Sequence, residues 1–155
     1  MTDDAPRSLD SDHNPLRLSE QLCFALYSTS RAITKKYASL LDDLGVTYPQ
    51  YLSLMALWER DGLTINELGR LLELEGATTT PLVKRLEKLD LVRRERSAED
   101  ERRVHVFLTD KGKSYRERAL SVPEALGCAM GIDDLQAKRL IKQMQKLKNS
   151  LVENE

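Results

Sequence analysis

"TINELGRLLELEGATTTPLVKRLEKLDLVRRERSAEDERRVHVFLTDKG", residues 64–112, changes its hydrophobic period along its length. Thr64 and Glu67 read as a capping box, in which the Thr hydroxyl accepts from a first-turn amide and the Glu reaches back. "INELGRLLEL" is then one short helix. The chain turns around "EGA" (75–77), and "TTTPLVKRLEKLDLV" reads as a second helix with Leu82, Val83, Leu86 and Leu89 facing inward. Pro81 is tolerable only near a helix start. Val92 to Arg94 reads as a short strand, and "VHVFL" (104–108) alternates with a period of two. The charged residues between them form a hairpin tip. Two short helices, a tight turn and a hairpin make a winged helix-turn-helix.

That geometry has a use. The second helix of such a pair enters the major groove of DNA with its early residues at the base edges. Here those are Thr78, Thr79 and Thr80, followed by Lys84. The wing can reach the adjacent minor groove, where arginine meets concentrated negative potential. Arg94, Arg96, Arg102 and Arg103 are the candidates, and Asp100 is expected to hold the shape of the wing as an internal partner of Arg102. The plain alternative is that a charged hairpin is only solvated surface. A helix-turn-helix directly before it weighs against that. Net charge is −1, with 24 basic and 25 acidic residues, which excludes a uniformly basic coat but not a local footprint. One module buries modest surface, so a homodimer on a palindromic double-stranded operator is expected.

Working outward, the 155 residues suffice for a domain with a real core. Apolar residues make up 41% and charged residues 32%, the balance of a soluble protein. No apolar run approaches ~18 residues and no signal-like segment opens the chain, so a cytoplasmic protein without a membrane partner is expected. Residues 1–14 read as a flexible N-terminal segment. Residues 15–46 read as an N-terminal helix for dimerisation and sensing, with Leu18, Leu22, Leu26 and Ile33 on one stripe. Residues 47–112 form the winged helix-turn-helix region, opened by Thr47, Pro49 and Gln50 as helix-start signals. Residues 113–155 supply C-terminal dimerisation helices. There Pro123 interrupts the pattern, "GCAMGI" (127–132) reads as a loop, and Leu140, Met144, Leu147 and Leu151 form a seam that needs a partner. The fold class is mainly α with a small β-hairpin wing, as a helical dimer.

Two cysteines carry the remaining chemistry. Cys23, in "QLCFALYS" (21–28), has two readings. Free cysteines are commonly buried small hydrophobes. A reactive thiolate instead needs hydrogen bonds or positive charge. Tyr37 and Tyr48 could supply the hydrogen bonds, with Tyr27 and Tyr51 as lesser candidates. Oxidation to sulfenic acid is reversible if a second thiol resolves it, and Cys128 could do so from the same chain or a partner's. No metal site is expected, since His13 and His105 have no ligand spacing to either cysteine. No glycine-rich phosphate loop and no Cys–His pair appear, so neither a cofactor nor an enzyme is expected. A thiol peroxidase is conceivable but leaves the wing unexplained.

"LTDKG" (108–112) after "DERR" (100–103), with Asp100 and Arg102 in a D-x-R element, resembles the wing-to-helix signature of the MarR-type winged-helix regulators. "QLCFALYSTSRAITKKYASLLDDLGVTYPQYLSLMALWE" (21–59) and "TTTPLVKRLEKLDLVRRERS" (78–97) resemble the organic-hydroperoxide-sensing branch, OhrR. The resemblance covers about residues 15–150 and implies a DNA-binding repressor. It implies that Cys23 is the peroxide-reactive thiol, that Tyr37 and Tyr48 bind its sulfur, and that Cys128 is the second cysteine of the two-cysteine subgroup. An intersubunit Cys23–Cys128 disulfide would then release DNA, with organic hydroperoxides as the signal. Asp90 departs from the pattern, where relatives often have glycine, and is expected to alter the turn after the second helix slightly. A regulator of the same fold released by a small non-oxidant ligand is the other reading.

Overall fold

The computed structural model describes residue 14 and residues 16–153. Apart from Asn14, the expected flexible segment and His13 lie outside the described residues. The chain divides into two compact units, one ending at Lys36 and one beginning at Tyr37.

In the first unit a 3-10 turn, Leu18–Glu20, precedes helix α1, which spans Leu22–Leu40 and carries the unit boundary within it. No residue of α1 is fully buried. The expected continuous helix over 15–46 is therefore in three pieces, because a second 3-10 turn, Asp42–Leu44, follows α1. Gly45 closes that turn at φ 64°, a left-handed conformation in which glycine carries no Cβ penalty.

The second unit continues with α2 (Tyr48–Glu59), β1 (Leu63–Thr64), α3 (Ile65–Leu72), α4 (Gly76–Lys88), β2 (Val92–Arg96), β3 (Val104–Leu108), α5 (Asp110–Ala119), α6 (Ser121–Met130) and α7 (Asp134–Val152). Its core joins Leu41, Leu54, Leu57, Leu63, Leu68, Val83, Leu86, Leu91 and Val106. At the start of α2 the Thr47 amide donates to Gln50 Oε1 at 2.8 Å. At the start of α3 the expected capping box closes, with Glu67 N–H donating to Thr64 Oγ1 and Thr64 N–H donating to Glu67 Oε2 at 2.8 Å.

The sheet has three antiparallel strands in the order β1-β3-β2. Leu63 and Thr64 pair with Val106 and His105 on the far side of the hairpin. A two-residue strand shows no period, so β1 has no trace in the hydrophobic pattern. Helix α4 starts at Gly76, two residues before the expected "TTT", and places Pro81 inside the helix. The helices α3 and α4 pack closely. A Cβ on Gly69 would sit 2.8 Å from Thr79 Oγ1, so only glycine fits there without a shift.

The stretch "LTDKG" is a lock. Asp90 ends α4 in a left-handed conformation, φ 59°. Its N–H donates to the Glu87 carbonyl and that of Leu91 donates to the Leu86 carbonyl, the paired closure of a Schellman motif. Thr109 Oγ1 donates to the Asp90 carbonyl at 2.6 Å and accepts from Gly112 N–H at 3.0 Å, capping α5. Lys111 Nζ donates to the Leu89 carbonyl at 2.7 Å. Gly112 lies so near the Leu91 carbonyl that a methyl there would overlap it.

The C-terminal region differs from expectation in one respect. "SVPEALGCAM" (121–130) is helix α6, not a loop after a break. Pro123 falls in its first turn, where no helical N–H bond is needed, and Gly131 stops it at φ 65°. Helix α7 opens with a capping box of Asp133 and Gln136 and buries none of its residues. Leu135, Leu140, Ile141, Met144 and Leu151 are exposed along it. Among the described residues no helix is long and apolar enough to cross a membrane.

Candidate nucleic-acid interface and redox residues

Helix α4 presents two faces. Leu82, Val83 and Leu86 enter the core, while Thr78 and Lys84 are exposed and Thr80 is half-buried. Thr79 is a correction to the sequence reading. It is fully buried, and its hydroxyl donates to the Glu75 carbonyl at 3.0 Å. The position one step around the helix from Thr78 and Thr80 faces α3, so this hydroxyl is turned away from solvent.

Between α3, α4 and the wing lies a cleft of about 600 Å³. Thr80, Lys84, Arg102 and Arg103 line it, together with Arg70 and Asn66 of α3, which the sequence reading missed. The signal for those two was their place on the polar face of α3, opposite the buried Leu68. Five cationic side chains border the cleft, Arg94 included, against the single carboxylate of Glu67. That carboxyl is held below its ordinary value, chiefly by the backbone hydrogen bond from Thr64 and then by the Thr64 hydroxyl, with Arg60 and Arg103 contributing.

Arg94 lines the cleft but is engaged from within. Its Nε donates to Glu87 Oε2 at 2.8 Å, its Nη2 lies 2.6 Å from the same oxygen, and its backbone N–H donates to Glu87 Oε1 at 3.1 Å. The expected minor-groove arginine is thus a partner of α4. Arg96, Arg102 and Arg103 are exposed. Arg93 pairs with Glu95 and lies 4.8 Å over the Phe107 ring.

Asp100 shapes the wing, though through the backbone of Arg102 and not its guanidinium. Its Oδ1 accepts from Arg102 N–H at 3.0 Å and its carbonyl accepts from Arg103 N–H at 2.9 Å. Ser97 N–H donates to the Arg103 carbonyl at 2.9 Å and closes the loop.

Both cysteines are free and exposed. Cys23 lies near the start of α1 and does not fill a core within this chain. Cys128 lies near the end of α6. Tyr27, on the same helix as Cys23, accepts a 2.8 Å hydrogen bond from Arg31 Nη1.

In the second unit, Tyr37 and Tyr48 come together. Their rings stack at 4.1 Å between centroids and 23° between planes. Tyr51 tilts against Tyr37 at 5.9 Å and meets Trp58 edge-on at 6.2 Å. Burial pushes the Tyr37 phenol up to about 12, helped by Tyr48 and Tyr51. Burial likewise raises Tyr51. Trp58 Nε1 donates to the Gly112 carbonyl at 2.9 Å, linking α2 to the start of α5. Among the described residues no group of His, Cys, Asp and Glu could hold a metal ion.

A family described as the transcriptional regulators SarA/Rot matches residues 35–119. The organic hydroperoxide resistance transcriptional regulator of Bacillus subtilis (strain 168) is 41% identical over 143 residues, which cover 92% of each chain. The structure of reduced AbfR bound to DNA is 35% identical, covers 91% of this chain and 99% of that one, and superposes with a TM-score of 0.74. Disulfide-formed AbfR is 37% identical over 90% of this chain and 94% of its own, with a TM-score of 0.62.

Proposed function

Because this chain belongs to the MarR superfamily of winged-helix transcriptional regulators, closely related to its two-cysteine, organic-hydroperoxide-responsive members, we propose that oxidation of Cys23 releases it from operator DNA. The family is one of dimeric DNA-binding regulators. The observation that carries the DNA-binding part is the cationic cleft, where the exposed face of α4 and the wing arginines meet. Thr78, Thr80 and Lys84 would enter the major groove, and Arg96, Arg102 and Arg103 would follow the backbone into the minor groove. Thr79 and Arg94 leave that set, since each is engaged internally.

The redox part rests on the two exposed thiols and on the likeness to an organic hydroperoxide resistance regulator and to disulfide-formed AbfR. The Cys23 thiolate attacks a peroxide oxygen. The O–O bond breaks, an alkoxide leaves and takes a proton, and Cys23 becomes a sulfenic acid. The Cys128 thiol of the second subunit then displaces hydroxyl from that sulfur, giving a disulfide and water. Tyr37 and Tyr48 would donate hydrogen bonds to the thiolate. Their stacking supports that role, because it sets the two phenols side by side.

The disulfide demands Cα atoms within ~7 Å, so the helices that carry the thiols must come that close. A palindrome holds its half-sites about 34–36 Å apart, and a modest rotation between two winged modules breaks that register. The test is a band-shift titration on a candidate palindrome under reducing conditions, before and after a stoichiometric organic hydroperoxide, with nonreducing gels from the same tubes. Binding should be lost as a linked dimer appears. Cys23→Ser should bind and ignore the oxidant. Release that survives Cys23→Ser would sink the sensor assignment.

A further inference from the structure

We propose that Glu87 is a positioning residue of the DNA-binding surface, fastening the base of the wing to the recognition helix through Arg94. The inference rests on the DNA-binding reading above. In the sheet order β1-β3-β2, strand β2 has a neighbour on one side only. Its outer edge therefore carries backbone N–H groups with no strand to accept them. Arg94 pairs across to Val106, and its own N–H donates to Glu87 Oε1 at 3.1 Å. The other oxygen of the same carboxylate accepts from Arg94 Nε at 2.8 Å and lies 2.6 Å from Nη2. One carboxylate thus takes two hydrogen bonds and a close ion-pair contact from one residue.

The placement gives the clamp its meaning. Glu87 sits in the last turn of α4, on the helix that carries Thr80 and Lys84. Arg94 sits in the middle of β2, between the buried root at Val92 and the loop that carries Arg102 and Arg103. Helix and wing reach different grooves, so their relative angle decides whether both engage at once. Both side chains are about one-third exposed, 35% for Glu87 and 31% for Arg94, so water screens the pair only in part. The arginine holds the Glu87 carboxyl below its ordinary value.

An opposite role for Arg94 makes an opposite prediction. If Arg94 served as a phosphate contact for which Glu87 competes, removing the carboxylate charge would free it. Glu87→Gln would then bind operator more tightly and add about 1 to the salt slope, the amount one phosphate contact contributes. If Glu87 positions the wing, Glu87→Gln weakens operator binding by roughly tenfold, although it deletes a negative charge beside DNA. The salt slope stays as in the wild type, because no phosphate contact is lost.

The experiment is the fluorescence anisotropy of reduced, full-length protein on an operator duplex across a salt series, for wild type, Glu87→Gln, Arg94→Gln and the double variant. Expected are weaker binding in both single variants, unchanged slopes, and a double variant no weaker than either. That non-additivity marks one shared interaction. Circular dichroism at the assay temperature confirms that each variant is folded, and Glu87→Asp replaces Glu87→Gln if it is not. Tighter binding with a steeper slope, or additive losses, overturns the clamp and leaves the DNA-binding reading standing. Wild-type protein with no preference for operator overturns that reading and the clamp with it.

Discussion

The ring of Tyr37, near the end of α1, stacks on the ring of Tyr48, at the start of α2, with centroids 4.1 Å apart. The two phenols lie on either side of the 3-10 turn that Gly45 closes. Burial and the neighbouring phenols keep Tyr37 protonated to about 12. In the proposed mechanism these hydroxyls hold the reactive thiolate of Cys23. Tyr37→Phe and Tyr48→Phe should each slow sulfenic acid formation by roughly tenfold, the weight of one hydrogen bond to a charged group. Operator binding by the reduced protein should not change. Stopped-flow oxidation followed by trapping of the sulfenic acid measures the rate, and unchanged rates would remove the tyrosines from the mechanism.

The same shift has a stability consequence. The Tyr37 value is raised from 10.0 unfolded to about 12 folded, so the folded state holds its proton more firmly. The associated stability is fully present below pH 10, and it is lost as pH rises from there through about 12. Melting temperature should therefore fall more steeply between those values for wild type than for Tyr37→Phe. Parallel curves would show that the phenol is not held in this way.

Thr79 and Lys84 lie on one helix and should behave oppositely. Thr79→Val removes a buried hydroxyl that donates to the Glu75 carbonyl, and should cost about 1–2 kcal/mol of stability with operator affinity retained. Lys84→Ala should leave stability within about 0.5 kcal/mol and lower the salt slope of DNA binding by about 1. Urea unfolding and a salt series separate the two. A slope change in Thr79→Val would contradict its placement.

Asp90 occupies a left-handed position, φ 59°, that suits glycine. Asp90→Gly should stabilise the protein by about 0.5–1 kcal/mol, since the backbone strain of a Cβ there is removed. The urea midpoint should rise with an unchanged slope. A fall in the midpoint would mean that the carboxylate does something more than tolerate the turn.

Gly112 bears the opposite constraint. Gly112→Ala drives a methyl into the Leu91 carbonyl and disturbs the carbonyl that accepts from Trp58. A loss of at least about 2 kcal/mol is expected. Tryptophan emission should shift as well, because Trp58 is the single tryptophan of the chain. A stable variant with native emission would show that α5 can move away from the end of α4.

The local features of this chain were legible from residues close in sequence. The helix-start signals at Thr64 and Thr47 and the period-two run Val104–Leu108 act over a few residues, so their pattern survives without the fold. They suffice to define the winged helix-turn-helix and to bring out the cationic wing. What the tertiary structure alone decided concerns partners distant in the chain or one step around a helix. Strand β1 exists because Leu63 and Thr64 meet Val106 and His105, more than forty residues on. Thr78, Thr79 and Thr80 are the same residue type in sequence, and only the close approach of α3 at Gly69 turns Thr79 inward. Arg94 and Arg102 look alike in a basic hairpin, and only the position of Glu87 beside the open edge of β2 takes one from the surface. Periodicity reports which face of an element is apolar. It carries nothing about which polar side chain finds a partner across the gap between elements, and that pairing separates the residues left to meet DNA from those that hold the surface in place.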